Sequence, residues 1–162
     1  MEEYKYSHRG SISWDDIPIE DLEIALVVFG EGSIGMQKCL RAMLQRNLKT
    51  HSCYANIVDD YDIAYIIMEE HKNLFGYLSE VLLKDDLVQI YYEGDRQVIR
   101  FAGNKAKIES SLLALARDIQ SGKKNNSELL KSKIYKPFPI DWYKEYQSSE
   151  NNEIVKELLM IS

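Results

Sequence analysis

The chain has 162 residues, of which 45% are hydrophobic, and carries a formal net charge of −6 at pH 7. This length suits one globular domain with its own core and is short for two. No apolar run approaches the roughly 18 residues that a membrane span needs, and the N-terminus lacks the pattern of a signal peptide. We therefore expect a single domain over residues 1–162, located in the cytoplasm, with no membrane partner. Two cysteines, Cys39 and Cys53, are too few for a disulfide framework.

The excess negative charge is confined to the first half of the chain. Residues 1–72 hold 13 acidic and 7 basic residues, whereas residues 73–162 hold 13 of each. Residues 10–37 contain six acids and no base, and residues 50–71 contain five acids and no base. Such a surface repels nucleic acid and attracts basic proteins, although acidic surfaces also keep proteins in solution. We expect no nucleic-acid partner, and the asymmetry favours a basic protein as partner.

The first elements in the chain include one ambiguous segment. Asp16 followed by Pro18 is typical of a helix start. Residues 24–29 form a nearly continuous apolar run, which helical spacing and a buried strand explain equally well. Ser33 is a candidate N-cap for a helix over residues 33–48, on which the apolar residues form one stripe. The state of residues 24–29 is therefore left open.

Further along, the periodicity indicates more helices and one hairpin. Residues 62–83 have apolar residues at helical spacing. Two β-rich runs flank Gly94 and Asp95, a pair suited to a tight hairpin turn. Asn104 can cap the next helix and Gly122 can end it.

After a polar loop and the Lys-Pro-Phe-Pro sequence at 136–139, a last helix is expected over residues 150–160. The predicted fold class is mainly α (α+β): a helical single domain with one β-hairpin.

The glycines Gly30, Gly32 and Gly35 match the G-x-G-x-x-G pattern of dinucleotide-binding loops. If residues 24–29 were a strand, the loop could place a pyrophosphate at the next helix, and Asp59 or Asp60 could accept from a ribose hydroxyl. However, Glu31 adds repulsion, the spacing to that acid exceeds the usual roughly 20 residues, and no further βαβ units follow. A turn between two helices explains the same glycines and is favoured.

No catalytic, cofactor or metal site is predicted, and the chain is not expected to be an enzyme. His51 and Cys53 are close in sequence, but no third group or oxyanion element can be named beside them. The histidines lack the spacing of a metal site. The neighbouring carboxylates Glu69 and Glu70 would diverge on a helix and cannot act as an acid and base across a substrate.

Two short sequences carry a resemblance to a known family: Pro18-Ile-Glu-Asp-Leu22 and Ser33-Ile-Gly-Met36. They are similar to segments of bacterial immunity proteins from contact-dependent growth inhibition systems, in which a helix that opens with an acid-acid-Leu step ends in a Gly-rich turn before a second helix. The resemblance covers about the first third of the chain. Its residues are Glu20, Asp21, Leu22, Ile34, Gly35 and Met36.

The resemblance implies an inhibitor that binds and neutralises the C-terminal domain of a cognate toxin, a basic protein for which a nuclease is the favoured class. The acidic first half fits that partner. We expect the toxin-facing surface to include Asp59, Asp60, Tyr61, Asp62, Tyr65, Glu69 and Glu70. The alternative is a nucleotide-binding α/β protein that uses the loop at 30–35, and a regulatory adaptor would share the same acidic surface.

Overall fold

The chain forms a four-stranded antiparallel sheet with helices packed on one face. The computed structural model describes residues 11–57, 62–69, 73–124 and Phe138. The strands are β1 (Thr50–Tyr54), β2 (Asp62–Met68), β3 (Val88–Glu93) and β4 (Arg96–Gly103), in the spatial order β1-β2-β4-β3. The helices are α1 (Leu22–Gly30), α2 (Ile34–Gln45), α3 (Glu80–Leu83) and α4 (Lys105–Ser121). Short 3₁₀ turns cover Trp14–Asp16, Ile19–Asp21 and Phe75–Tyr77.

The prediction of a mainly helical domain with one hairpin is wrong. The hairpin around Gly94 and Asp95 is present as β3 and β4, but it is half of a larger sheet. The helix expected over 62–83 is replaced by β2, a 3₁₀ turn and the short α3. The error has a physical cause: β2 lies between β1 and β4, with Ile63, Ala64 and Ile66 buried, so the strand lacks the alternation of a half-exposed strand.

The core lies between the sheet and helices α1, α2 and α4. Alternate residues of β2, including Ala64 and Ile66, face this core, together with Ile99 and Phe101 of β4. Helix α4 packs along α2 and against β4, and α1 packs against α2 and β1. One hydrophobic cluster therefore joins all three helices to one side of the sheet.

The other side of the sheet holds a smaller buried cluster around Arg100. This guanidinium is 2% exposed, stacks 5.3 Å from the ring centre of Tyr91 and 5.7 Å from that of Phe138, and donates to the side-chain oxygen of Gln89. Burial raises the pKa of Tyr91, while the nearby Arg100 acts in the opposite direction. Arg100 is thus a packed part of this face.

Caps define the ends of the two longer helices. The Ser33 hydroxyl accepts from the Met36 N–H at 3.0 Å and begins α2, as predicted, although this helix ends at Gln45 and is shorter than expected. Asn104 accepts from the Lys107 N–H at 2.8 Å, and Gly122 ends α4 with φ of 70°. The predicted α4 is therefore confirmed.

Residues 24–29 belong to helix α1, which resolves the ambiguity in the sequence. None of the helices within the described ranges is long and apolar enough to cross a membrane. The helix expected over 150–160 lies outside the described residues.

Candidate partner-binding surfaces

The carboxylates expected to contact a partner do not form one compact patch in the described structure. Asp62 opens β2, and its carboxylate accepts from the Ile63 N–H at 2.8 Å. Glu69 follows the other end of the strand. Glu69 is seven positions after Asp62, which in extended chain corresponds to a separation of about 23 Å. Four of the seven predicted contact residues lie outside the described residues: Asp59, Asp60, Tyr61 and Glu70.

Tyr65 lies between these two acids and packs against another ring. Its ring stacks on that of Tyr54 of β1, with centroids 5.8 Å apart. Tyr65 is half-buried, and burial raises the pKa of its phenol, although a hydrogen bond with Ser52 acts in the opposite direction. The ring therefore stays neutral and offers a partly exposed aromatic edge.

Glu69 is hydrogen-bonded to His51 at the edge of the sheet. One carboxylate oxygen lies 2.9 Å from Nδ1 of His51, while the other ring nitrogen of His51 lies 3.2 Å from the Ser11 hydroxyl. The imidazole is thus held from both sides, and Glu69 itself is exposed.

His51 and Cys53 do not form a thiol and base pair. Cys53 lies in the core, where its thiol donates to the Phe29 carbonyl at 3.3 Å, and burial raises its pKa to about 12. Cys39 donates to the Leu112 carbonyl at 2.8 Å, and burial also raises its pKa. Both groups remain neutral thiols near neutral pH, and neither is a good nucleophile there.

The glycine loop connects two helices, and its anion position is already filled. Glu109 of α4 accepts from the Gly35 N–H at 3.0 Å and also accepts from the Ser33 hydroxyl. A carboxylate of the chain therefore occupies the start of α2, where a phosphate would bind. The adjacent cleft has a volume of about 90 Å³, below the roughly 300 Å³ of typical small-molecule pockets. With α1 in place of a strand, this geometry does not favour the nucleotide-binding alternative.

Two of the loop glycines have packing or conformational roles. Gly32 has φ of 82°, which L side chains rarely adopt. A Cβ on Gly35 would lie 2.8 Å from the Leu112 Cβ, so this glycine allows α2 and α4 to approach closely.

An open groove between α2 and α4 is larger than the cleft beside the glycine loop. Its volume is about 640 Å³, and its charged lining is mainly basic, with Lys38, Arg41 and Arg117 beside Glu109. This groove has the opposite charge from the one expected for a surface that binds a basic protein.

The surface beside α1 combines acidic and aliphatic side chains. We call four exposed carboxylates the acidic rim: Asp15, Asp16, Glu20 and Glu23. We call three exposed side chains the aliphatic ridge: Ile19 (86% exposed), Ile24 (58%) and Val27 (54%). Sequence reasoning missed the ridge, although a helical reading of residues 22–30 places Glu23, Ile24 and Val27 on one side.

Two residues of the acidic rim are held by cations. Arg41 donates hydrogen bonds from both terminal nitrogens to the Glu23 carboxylate, and this interaction lowers the pKa of Glu23. Lys49 forms an ion pair with Asp15. Asp16 and Glu20 make no ion pair within the described part of the chain. These two carboxylates leave the rim negative.

The comparisons with known proteins give no family for this chain. No protein-family model, no curated protein and no solved structure matches it. Among the described residues, no three His, Cys, Asp or Glu side chains are grouped so that they could hold a metal ion.

Proposed function

We propose that this chain is an immunity protein that binds a basic toxin domain and blocks its activity, with a nuclease delivered by contact-dependent inhibition as the favoured toxin. The observation that carries the proposal is the acidic rim beside α1, where Asp16 and Glu20 are exposed and not neutralised within the described chain. A nuclease binds phosphates with cations, so its substrate groove is attracted to such a surface. Electrostatic attraction also speeds association, which favours rapid neutralisation in the cytoplasm.

The arrangement of the first helices supports the same proposal. Glu20, Asp21 and Leu22 lead into α1, and the Ser-Ile-Gly-Met sequence at 33–36 begins α2 after a glycine turn. This order of helix, turn and helix agrees with the pattern on which the resemblance to immunity proteins rests. An adaptor protein would share the acidic surface, so the experiment must measure inhibition as well as binding.

The first experiment uses the C-terminal domain of a large secreted protein encoded immediately upstream of this chain's gene. That domain is expressed alone and together with the full chain, and complex formation is measured by calorimetry. We expect a stoichiometric complex and restored growth of cells that produce the toxic domain. A complex that leaves the toxicity unchanged would favour an adaptor, and the absence of any complex would refute the proposal.

Charge-reversed variants locate the surface that contacts the toxin domain. The first changes the acidic rim, the second changes the acids near the start of β2, and the third changes the basic groove as a control. The variants are Asp16→Lys with Glu20→Lys, Asp59→Lys with Asp60→Lys and Asp62→Lys, and Lys38→Glu with Arg117→Glu.

Each charge-reversed variant is titrated with the toxin domain at low and high salt. If the rim contacts the toxin, the first variant binds more weakly and shows a flatter salt dependence, because an attractive long-range interaction has been removed. Unchanged affinity and salt dependence in the second variant would remove the β2 acids from the interface. The third variant should not weaken binding.

A further inference from the structure

The aliphatic ridge is an unusual feature for a solvent-facing helix surface. In α1, Ala25, Leu26 and Phe29 enter the core, whereas Ile24 and Val27 point away from it. Ile19 lies in the turn that leads into this helix and is the most exposed of the three ridge residues. Single exposed aliphatic residues are common, but Ile24 and Val27 lie one turn apart on the same side of α1, and adjacent exposed apolar side chains are typical of a surface that a partner covers.

The charges around the ridge indicate which kind of partner covers it. Glu20 precedes Ile24 by four residues and Glu23 precedes Val27 by four, so each carboxylate lies about one helical turn before an aliphatic side chain. A second copy of this chain would bring like charges together, which disfavours self-association through this face. A partner with an apolar contact bordered by Lys or Arg matches the surface in both respects.

We propose that the aliphatic ridge is the binding hot spot for the basic toxin domain, which buries Ile24 and Val27 at the centre of the contact while its cations meet the acidic rim. This inference rests on the proposed function and adds the location and chemistry of the contact. Interfaces commonly combine an apolar centre that excludes water with a polar border, and a few central residues dominate the affinity. In this arrangement the rim controls the association rate and its salt dependence, and the ridge controls the dissociation rate.

Arg41 and Lys49 each pair with one carboxylate of the acidic rim, Glu23 and Asp15 respectively. Arg41 holds the Glu23 carboxylate through two hydrogen bonds, with Nη1 2.7 Å from Oε1 and Nη2 2.5 Å from Oε2. The carboxylate is therefore oriented before binding. Asp16 and Glu20 remain available for cations of the toxin domain.

The test compares the double variant Ile24→Ser with Val27→Ser against the control Val81→Ser in the full-length chain. Val81 is 72% exposed on α3, so the control removes an equally accessible aliphatic side chain from another surface. Exposed substitutions of this kind change stability by about 0.5 kcal/mol or less, and thermal unfolding verifies that both variants are folded. Binding to the upstream-encoded toxin domain is measured by surface plasmon resonance at two salt concentrations.

We expect the ridge variant to bind about 30-fold more weakly than wild type, through faster dissociation, with an unchanged salt dependence. The control should match wild type. A ridge variant with wild-type affinity would refute the proposal that the ridge is the hot spot. The proposed function would stand, because the wild type would still bind and inhibit the toxin domain. No binding by the wild type would refute both. A wild-type dimer that the ridge variant converts to monomers would also overturn the proposal, since the ridge would then bind a second copy.

Discussion

Helices α1 and α4 contribute to the same core but present opposite surfaces to solvent. In α4, Ile108, Leu112 and Leu115 are buried, and the fully exposed positions hold polar residues or alanine. In α1, the exposed side chains include Ile24 and Val27. Helix α4 is therefore complete once it packs on α2 and the sheet, whereas α1 retains an apolar surface that its own fold does not bury. The difference indicates that α1 has a second packing requirement, which a partner can meet.

The largest expected effect is a difference in stability between two variants, each of which shortens one aliphatic side chain, one in α4 and one in α1. Leu112→Ala removes a fully buried side chain from α4 and should destabilise the fold by about 2–5 kcal/mol. Ile24→Ala in α1 should change stability by about 0.5 kcal/mol or less, because Ile24 faces solvent. Urea unfolding of both variants measures the difference. Similar losses of stability in the two variants would show that the exposed side of α1 is packed within the monomer.

The second prediction concerns the close approach of α2 and α4. Gly35→Val places side-chain atoms against Leu112 and the Glu109 carbonyl, and we expect a loss of about 1–3 kcal/mol. The control Ala106→Val introduces the same side chain on the exposed side of α4. Thermal unfolding should show a clear decrease only for the first variant. Equal unfolding temperatures for the two would mean that α2 and α4 can separate without cost.

Helix α4 could be predicted from the sequence, whereas the state of residues 24–29 could not, and the difference has a physical cause. Helix α4 was recognisable because its buried and exposed positions differ in polarity, and Asn104 and Gly122 mark its ends. Residues 24–29 were ambiguous because Ile24 and Val27, which face solvent in α1, are apolar and make the run continuous. The ambiguity therefore arose from the residues that we propose to contact the toxin.

The sheet was underestimated for other reasons. Strand β2 has apolar or aromatic residues on both faces, and β1 has the mixed sequence Thr-His-Ser-Cys-Tyr, so neither alternates as a half-exposed strand does. Arg100 would be expected on the surface, and only the fold shows its position between Tyr91 and Phe138. The acidic rim was visible in the composition, but its association with exposed aliphatic residues required the helix.

The third prediction tests the carboxylate at the start of α2. Glu109→Gln removes the negative charge that accepts from Gly35 and Ser33, and we expect a loss of about 1–2 kcal/mol. Glu80→Gln is the control, because its pairing with Lys84 is exposed and contributes little. Chemical denaturation measures both. Nucleotide binding gained by the Glu109 variant would revive the phosphate-loop interpretation.

The smallest expected effect is a loss of stability at alkaline pH caused by ionisation of Cys53, which lies beneath α1. The pKa of Cys53 is raised to about 12 in the folded state from an ordinary value near 9, so the neutral thiol is favoured there. Its contribution is fully present below about pH 9 and is lost as pH rises towards 12, because the unfolded chain ionises first; at pH 9.5 the loss is about 1 kcal/mol.

The variant Cys53→Ala isolates this contribution from other groups, since Tyr65 and Tyr91 also have raised pKa values. Unfolding free energies are compared between pH 8 and pH 9.5 for wild type and variant. The decrease should be steeper in wild type, and parallel pH profiles would mean that the thiol ionises equally in both states.

Carboxylate labelling of the complex tests most directly whether the surface beside α1 meets a basic toxin domain. Free protein and a saturated complex with the upstream-encoded toxin domain are treated with a carbodiimide and an amine, and the modified residues are quantified by mass spectrometry. We predict that labelling of Asp16 and Glu20 decreases several-fold in the complex, while labelling of Glu80 on α3 stays constant. Equal labelling of Asp16 and Glu20 with and without bound toxin domain would contradict the account.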